Sequence, residues 1–188
     1  YAGELTKSKI GADNFAKSVF NLLFIILLFL VLIAEIFMPK LIYLIAPGFY
    51  KDPEKLKLAI DLSRITFPFL LFVSLASFFA AILNSYNKFA AAAAVPAILN
   101  IVLIASLFLS QSINISGVLT LSYAVSLAGL LQLLILLFFV RKNFRPILSI
   151  KFKLDKKIKF FFKKLIPSIF SSGITQINIL IGTIIASF

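Results

Sequence analysis

The sequence predicts an all-α, polytopic membrane helix bundle with five transmembrane helices and one basic amphipathic helix at the interface. Three observations carry that prediction. Of the 188 residues, 61% are hydrophobic, against ~45–50% in soluble domains, and the mean hydropathy is +1.07. The apolar residues gather in runs of about 20, the length a helix needs to cross a ~30 Å hydrocarbon core. Threading those runs across a bilayer puts 14 of the 19 basic residues on one side. The net charge of +12 then reads as loops held against an anionic membrane face, with no nucleic-acid partner. Cysteine and histidine are both absent, which removes disulfides, thiolate metal sites and the commonest neutral-pH general base. The chain does not read as an enzyme, and no metal site is expected.

Tyr1 to Lys17 is polar, with Lys7-Ser8-Lys9-Ile10-Gly11 read as a loop. Residues 18–38 form the first span, a 21-residue run with 16 Val, Leu, Ile or Phe. Each contributes about −0.3 to −0.6 kcal/mol at mid-membrane, which outweighs Asn21 and a peripheral Glu35. Pro39 is expected to stop this helix, leaving Leu41 to Ile45 at the interface. Ala46-Pro47-Gly48-Phe49 reads as a turn, since proline presets φ and glycine accepts positive φ. Asp52-Pro53 then starts a short helix as N-cap and first position. Residues 65–83 and 89–109 are the second and third spans, joined by the elbow Asn84-Ser85-Tyr86-Asn87-Lys88. Residues 117–140 are the fourth, where Ala128 and Gly129 offer a flat packing surface and Gln132 needs a partner facing the bundle.

Residues 141–164 hold ten of the basic residues. Within them Leu154, Ile158, Phe161, Phe162 and Leu165 fall at helical spacing with lysines on the other face, a basic amphipathic helix on a membrane surface. Residues 165–188 form a fifth span. The positive-inside bias makes the side bearing 1–17, 84–88 and 141–164 cytoplasmic. The chain begins at Tyr1 and stops at Phe188 inside an apolar run, so it reads as a piece of a longer polypeptide.

Several of these residues carry a family resemblance. Ala46-Pro47-Gly48-Phe49, the block from Arg64 to Asn100 with Pro68 and Pro96, Pro167-Ser168-Ile169-Phe170, Thr175-Gln176-Ile177-Asn178 and Ala186-Ser187-Phe188 together resemble the MurJ/MviN lipid II flippases. The order and spacing match the third to seventh helices of that family over essentially the whole chain. The resemblance implies a two-lobed exporter fold. Residues 1–140 would be part of the N-lobe, 141–164 a cytoplasmic linker between lobes, and 165–188 the truncated first helix of the C-lobe. It further implies movement of an undecaprenyl-pyrophosphate-linked peptidoglycan precursor, lipid II, from the inner to the outer leaflet of the bacterial inner membrane by alternating access. Alternatives in the same superfamily are a polysaccharide-lipid flippase or a drug/cation antiporter. A non-transporting, truncated membrane protein is the third reading. The family's cavity arginines lie mostly in helices that this chain would lack.

Candidate site residues follow from the two lines together. Gln176 and Asn178 cannot share a helix face, so one would face the cavity, and Asn100 is either a cavity residue or a bond to carbonyls freed near Pro96. Pro68, Pro96 and Pro167 are hinges or static helix breaks. Arg64 is an outer gate contact or a snorkelling anchor with Asp61 as its simplest partner, and Pro47, Gly48 and Phe49 sit at the same outer face. Many family members carry Asp or Asn, linked to cation binding, where this sequence has Gly182. Gly182 offers no ligand, which puts cation coupling there in doubt; membrane-potential coupling stays open. No cofactor is expected. Lipid II and anionic phospholipid are the expected partners, the latter through the lysines of 153–164.

Overall fold

The computed structural model describes residues 1–112, 116–147 and 156–187. Among them every regular element is helical: α1 (Ala2–Leu5), α2 (Lys9–Ile45), α3 (Pro53–Thr66), α4 (Phe69–Ser85), α5 (Phe89–Ala93), α6 (Val95–Ser112), α7 (Gly117–Val140) and α8 (Lys156–Ala186), with a 3₁₀ turn over Pro47–Lys51. Lys9–Ile45, Pro53–Ser85, Phe89–Ser112 and Gly117–Val140 are each long and apolar enough to cross a membrane. The first four expected spans lie inside these stretches, and the fourth agrees at both ends.

The first expected boundary is corrected. Ser8 caps α2, its Oγ accepting from the Gly11 N–H at 3.3 Å, so the supposed loop 7–11 is already helix from Lys9. Pro39 does not stop α2, which continues to Ile45. One proline removes one backbone bond, whereas ending the helix there would leave several groups unsatisfied in an apolar medium. The stop falls at Ala46 (φ −136°), where Pro47 disfavours helix in the residue before it. The next start is as expected: Asp52 accepts from the Lys55 N–H at 3.1 Å, with Pro53 in first position.

Pro68 separates α3 from α4 by a tight turn, with Leu70 N–H on the Phe67 carbonyl. The elbow after α4 is a Schellman closure. Lys88 N–H reaches back to Leu83 O at 3.0 Å and Asn87 N–H to Asn84 O at 3.0 Å. This requires a left-handed residue, and Asn87 takes φ +58°, a conformation asparagine tolerates better than most side chains. A second break at Ala94 divides α5 from α6, placing Pro96 in the first turn of α6 where its missing N–H is not needed. In α8, the basic stretch from Lys156 and the fifth apolar stretch form one helix that runs through Pro167. Residues 151–155 of the expected amphipathic segment, the 113–115 loop and Phe188 lie outside the described residues.

The helices stand in a row. α7 packs on α4 and the end of α3 on one side and on α5 and α6 on the other; α2 packs on α3 and α4, and α8 meets the row chiefly through α2. The core lies where α2, α4 and α7 converge, around Phe20, Phe79, Ile82, Leu83, Leu136 and Phe144. Phe20 sits 5.5 Å from Phe79 and 5.7 Å from Phe78, between centroids. Close approach of α4 to α7 depends on Ala128 and Gly129, both buried. A Cβ on Gly129 would lie 2.6 Å from Phe69 Cδ2 and 3.2 Å from Phe72 Cβ. Gly129→Ala is therefore expected to destabilise the bundle by about 1–3 kcal/mol, read as an earlier midpoint in detergent unfolding. Adding Phe69→Leu should recover part of the loss; a G129A midpoint equal to wild type would refute this packing.

Candidate functional site

Two ends of the row are distinguishable. At one, Tyr1, the start of α2, the elbow and residues 141–145 come together. The Tyr1 hydroxyl donates to Asp13 Oδ1 at 2.9 Å and lies 3.0 Å from the Tyr86 hydroxyl. Burial, then the bonds to Tyr86 and Asp13, hold the Tyr1 phenol well above its usual range, so it stays neutral. Lys88 Nζ donates to Asn143 Oδ1 at 2.7 Å, tying the elbow to the chain after α7. This elbow end carries most of the described basic residues.

At the other end the Pro47–Lys51 turn meets the C-terminus of α8. The Gly48 N–H donates to Ser187 Oγ at 3.0 Å, and the Ser187 hydroxyl donates to Ile184 O at 2.7 Å. Ser187 is buried, whereas Gln176 to Gly182 are all exposed. A Cβ at Gly173 or Gly182 would meet nothing within 4 Å. α8 is thus tied to the turn at Ser187, while its residues 176–182 are exposed.

The candidates divide accordingly. Gln176 and Asn178 are exposed on α8, and Asn100 is exposed on α6 at the far side of the row. The structure does not bring them together. Nor does Asn100 bond to carbonyls near Pro96. Gln132 on α7 donates its Nε2 to Val95 O, the carbonyl just before Pro96, at 2.8 Å; Asn100 points off the packed face. Ser126, also on α7, donates to Ile65 O beside the Pro68 break. The two donors are six residues apart, about 120° around a helix at 3.6 residues per turn, so each faces a different broken helix. Gln132 showed in the sequence as a polar residue needing a partner. Ser126 did not stand out, because a lone serine is common in membrane helices, and Ser187 stood out only within the Ala186-Ser187-Phe188 resemblance.

Arg64 is exposed in the last turn of α3 and forms no ion pair with Asp61. Its charge acts on Glu35 of α2 instead, so helix-to-helix geometry overrides the three-residue spacing. Glu35 Oε1 is buried without a hydrogen-bond partner, as is Gln132 Oε1. Phe49 lies under Lys55 Nζ, 4.2 Å from its ring centroid. No group of three acidic, cysteine or histidine residues able to hold a metal occurs among the described residues.

Long apolar helices, broken at prolines and pinned by polar side chains from one neighbour, define a polytopic α-helical integral membrane protein. A sequence-family model described as "Lipid II flippase MurJ" matches residues 1–188. The chain belongs to that family. It is 38% identical to "Probable lipid II flippase MurJ" of Rickettsia prowazekii (strain Madrid E), over 100% of this chain and 37% of the relative. With the protein of the same name from Rhizobium meliloti (strain 1021), identity is 39% over 94% of this chain and 34% of the relative. A solved structure titled "Lipid II flippase MurJ, inward closed conformation" superposes with a TM-score of 0.74 at 28% identity, covering 94% of this chain and 36% of that one. The chain spans about a third of the length of the curated relatives it matches.

The two α7 bonds make a discriminating test. An interhelical hydrogen bond in a membrane protein contributes ~0.6 kcal/mol on average and at most ~1.7. Ser126→Ala should cost that much in a detergent unfolding titration. Gln132→Met should cost less, because it removes the orphaned Oε1 together with the bond. The reverse order would show that the Gln132 bond is the principal tie.

Proposed function

We propose that this chain is part of a transporter that flips lipid II, an undecaprenyl-pyrophosphate-linked peptidoglycan precursor, from the inner to the outer leaflet of a bacterial cytoplasmic membrane. The observation that carries the reading is the family match across all 188 residues. No bond is made or broken in such a step, so the protein acts as a transporter and not as an enzyme. A charged headgroup in hydrocarbon costs several kcal/mol or more, and a bundle with polar, openable walls removes that cost while the lipid tail stays in the bilayer.

In this proposal residues 1–140 belong to the first lobe, 141–164 link the lobes, and 165–188 open the second lobe within a longer single chain. The elbow end faces the cytoplasm, as the loop charge requires, and the Gly48–Ser187 contact faces outward. Gln176 or Asn178 on α8 lines the substrate path, and Asn100 belongs to it only when the lobes move. Pro68 and Pro96 act as fixed kinks, because α7 already occupies carbonyls beside both breaks. Pro167, exposed within α8, is the hinge that stays free. Anionic phospholipid gathers at the lysines near the start of α8. Gly182 supplies no side-chain ligand for a coupling cation.

Depletion and rescue test the substrate. Cells depleted of their own flippase should regain outer-leaflet lipid II, measured by its accessibility to an external modifying enzyme, when the full-length gene is expressed. Residues 1–188 alone should restore none. Unchanged leaflet distribution with the full-length gene defeats the lipid II reading and leaves the antiporter or non-transporting alternatives. The outer contact has its own test. In a background without other cysteines, Gly48→Cys with Ser187→Cys should crosslink under oxidation and arrest transport, and reduction should restore it. Full transport by crosslinked protein would remove Gly48 and Ser187 from the gate.

A further inference from the structure

At the elbow end, between the start of α2 and the chain that follows α7, lies a polar cavity of about 250 Å³. Its walls bring Lys9 and Lys17 from α2 against Arg141, Lys142 and Arg145. The one acid in the wall is Asp13, and its Oδ1 accepts the Tyr1 hydroxyl. No cation of the five is within ion-pair distance of a carboxylate among the described residues. Arg141 is stacked over the Phe138 ring at 4.0 Å, a cation–π contact that holds it in place without neutralising its charge. Asn143 is held by Lys88 from the elbow, which steadies the segment carrying three of the cations. Phe144, buried to 2% exposure, anchors the same segment in the core.

We infer that this cavity is a binding site for a phosphate-bearing anion. Orientation alone accounts for cations scattered along a cytoplasmic face, but it does not require five of them around one concavity, on two chain segments some 130 residues apart. The carbonyl end of α7 opposes an anion here; Arg141 and Lys142, directly after that helix, offset it, leaving Lys9, Lys17 and Arg145 in excess. At about 250 Å³ the cavity has room for one phosphate with part of its hydration. It falls below the ~300–1,000 Å³ of a drug-sized pocket, so a phosphate group fits while a whole sugar–peptide headgroup does not. The ligand is a single phosphate, borne by an anionic phospholipid of the adjacent leaflet or free in solution. The inference is separate from the transport reading, because it is tested by binding alone.

The test uses the full-length protein in detergent, labelled and titrated with short-chain phosphatidylglycerol, short-chain phosphatidylcholine and inorganic phosphate. Wild type should bind phosphatidylglycerol more tightly than phosphatidylcholine. Lys17→Gln with Arg145→Gln should weaken that binding roughly 10- to 30-fold, at ~1 kcal/mol per surface cation. Lys40→Gln with Lys57→Gln, an equal charge change at the other end, should leave it unchanged. Phosphatidylglycerol binding that inorganic phosphate displaces only weakly assigns the site to lipid; phosphate binding as tight as the lipid's, and lost in the same variant, assigns it to the free anion. Equal binding of both lipids with no phosphate binding, wild-type binding by the K17Q/R145Q protein, or an equal loss in the K40Q/K57Q control overturns the inference.

Discussion

Inside a bilayer no water is available to a broken backbone, and that constraint organises this bundle. A break in a span frees backbone groups that must find a partner or stay orphaned at a cost of several kcal/mol. Here two broken helices flank a single unbroken one. α7 runs from Gly117 to Val140 without interruption, and from it Ser126 and Gln132 donate to Ile65 and Val95, beside the breaks at Pro68 and Pro96. The same helix presents Ala128 and Gly129, against which Phe69 and Phe72 of α4 pack, and Ser126 reaches Ile65 at the end of α3. Packing and polar satisfaction are therefore one feature. Small residues set the distance, and the distance makes the hydrogen bond.

Much of this was legible in the sequence because the bilayer imposes so few solutions. The bounds of α7, the Asp52-Pro53 start of α3 and the elbow at 84–88 all follow from local chemistry, and local chemistry was enough there. Pro39 is the instructive failure. The rule that proline ends a helix describes helices in water, where the residues beyond can bond to solvent. In an apolar medium the cheaper outcome is to keep the helix and lose one bond, and the true stop waits for Pro47, where the chain nears the polar boundary. The partner of Arg64 and the role of Asn100 were missed for a different reason. Both depend on which helices become neighbours, and spacing along one helix cannot report that. Asp61 is near Arg64 in sequence, yet Glu35, 29 residues earlier, is the acid whose carboxylate feels its charge.

The two ends of the row differ in kind. The elbow end is knitted from side chains of four segments: Tyr1 with Asp13 and Tyr86, and Lys88 with Asn143. The other end rests on a backbone donor, Gly48, meeting one serine hydroxyl. A net hydrogen bond of this type contributes only about 0.5–1.5 kcal/mol. The first end is tied by several side-chain bonds at once. The second has this single polar tie between the turn and Ser187.

Glu35 fits the same asymmetry. It stands one turn before Pro39, with one oxygen buried and unpartnered, a configuration that a stable fold would tend to remove. Across from it on α3 stands the opposite charge of Arg64, in the last turn just ahead of the Pro68 break. Straightening or twisting α3 relative to α4 would move the arginine relative to Glu35. The Ser126 bond at the neighbouring Ile65 carbonyl resists that movement. A polar side chain from α7 thus bears directly on the bend at Pro68, through the Ile65 carbonyl.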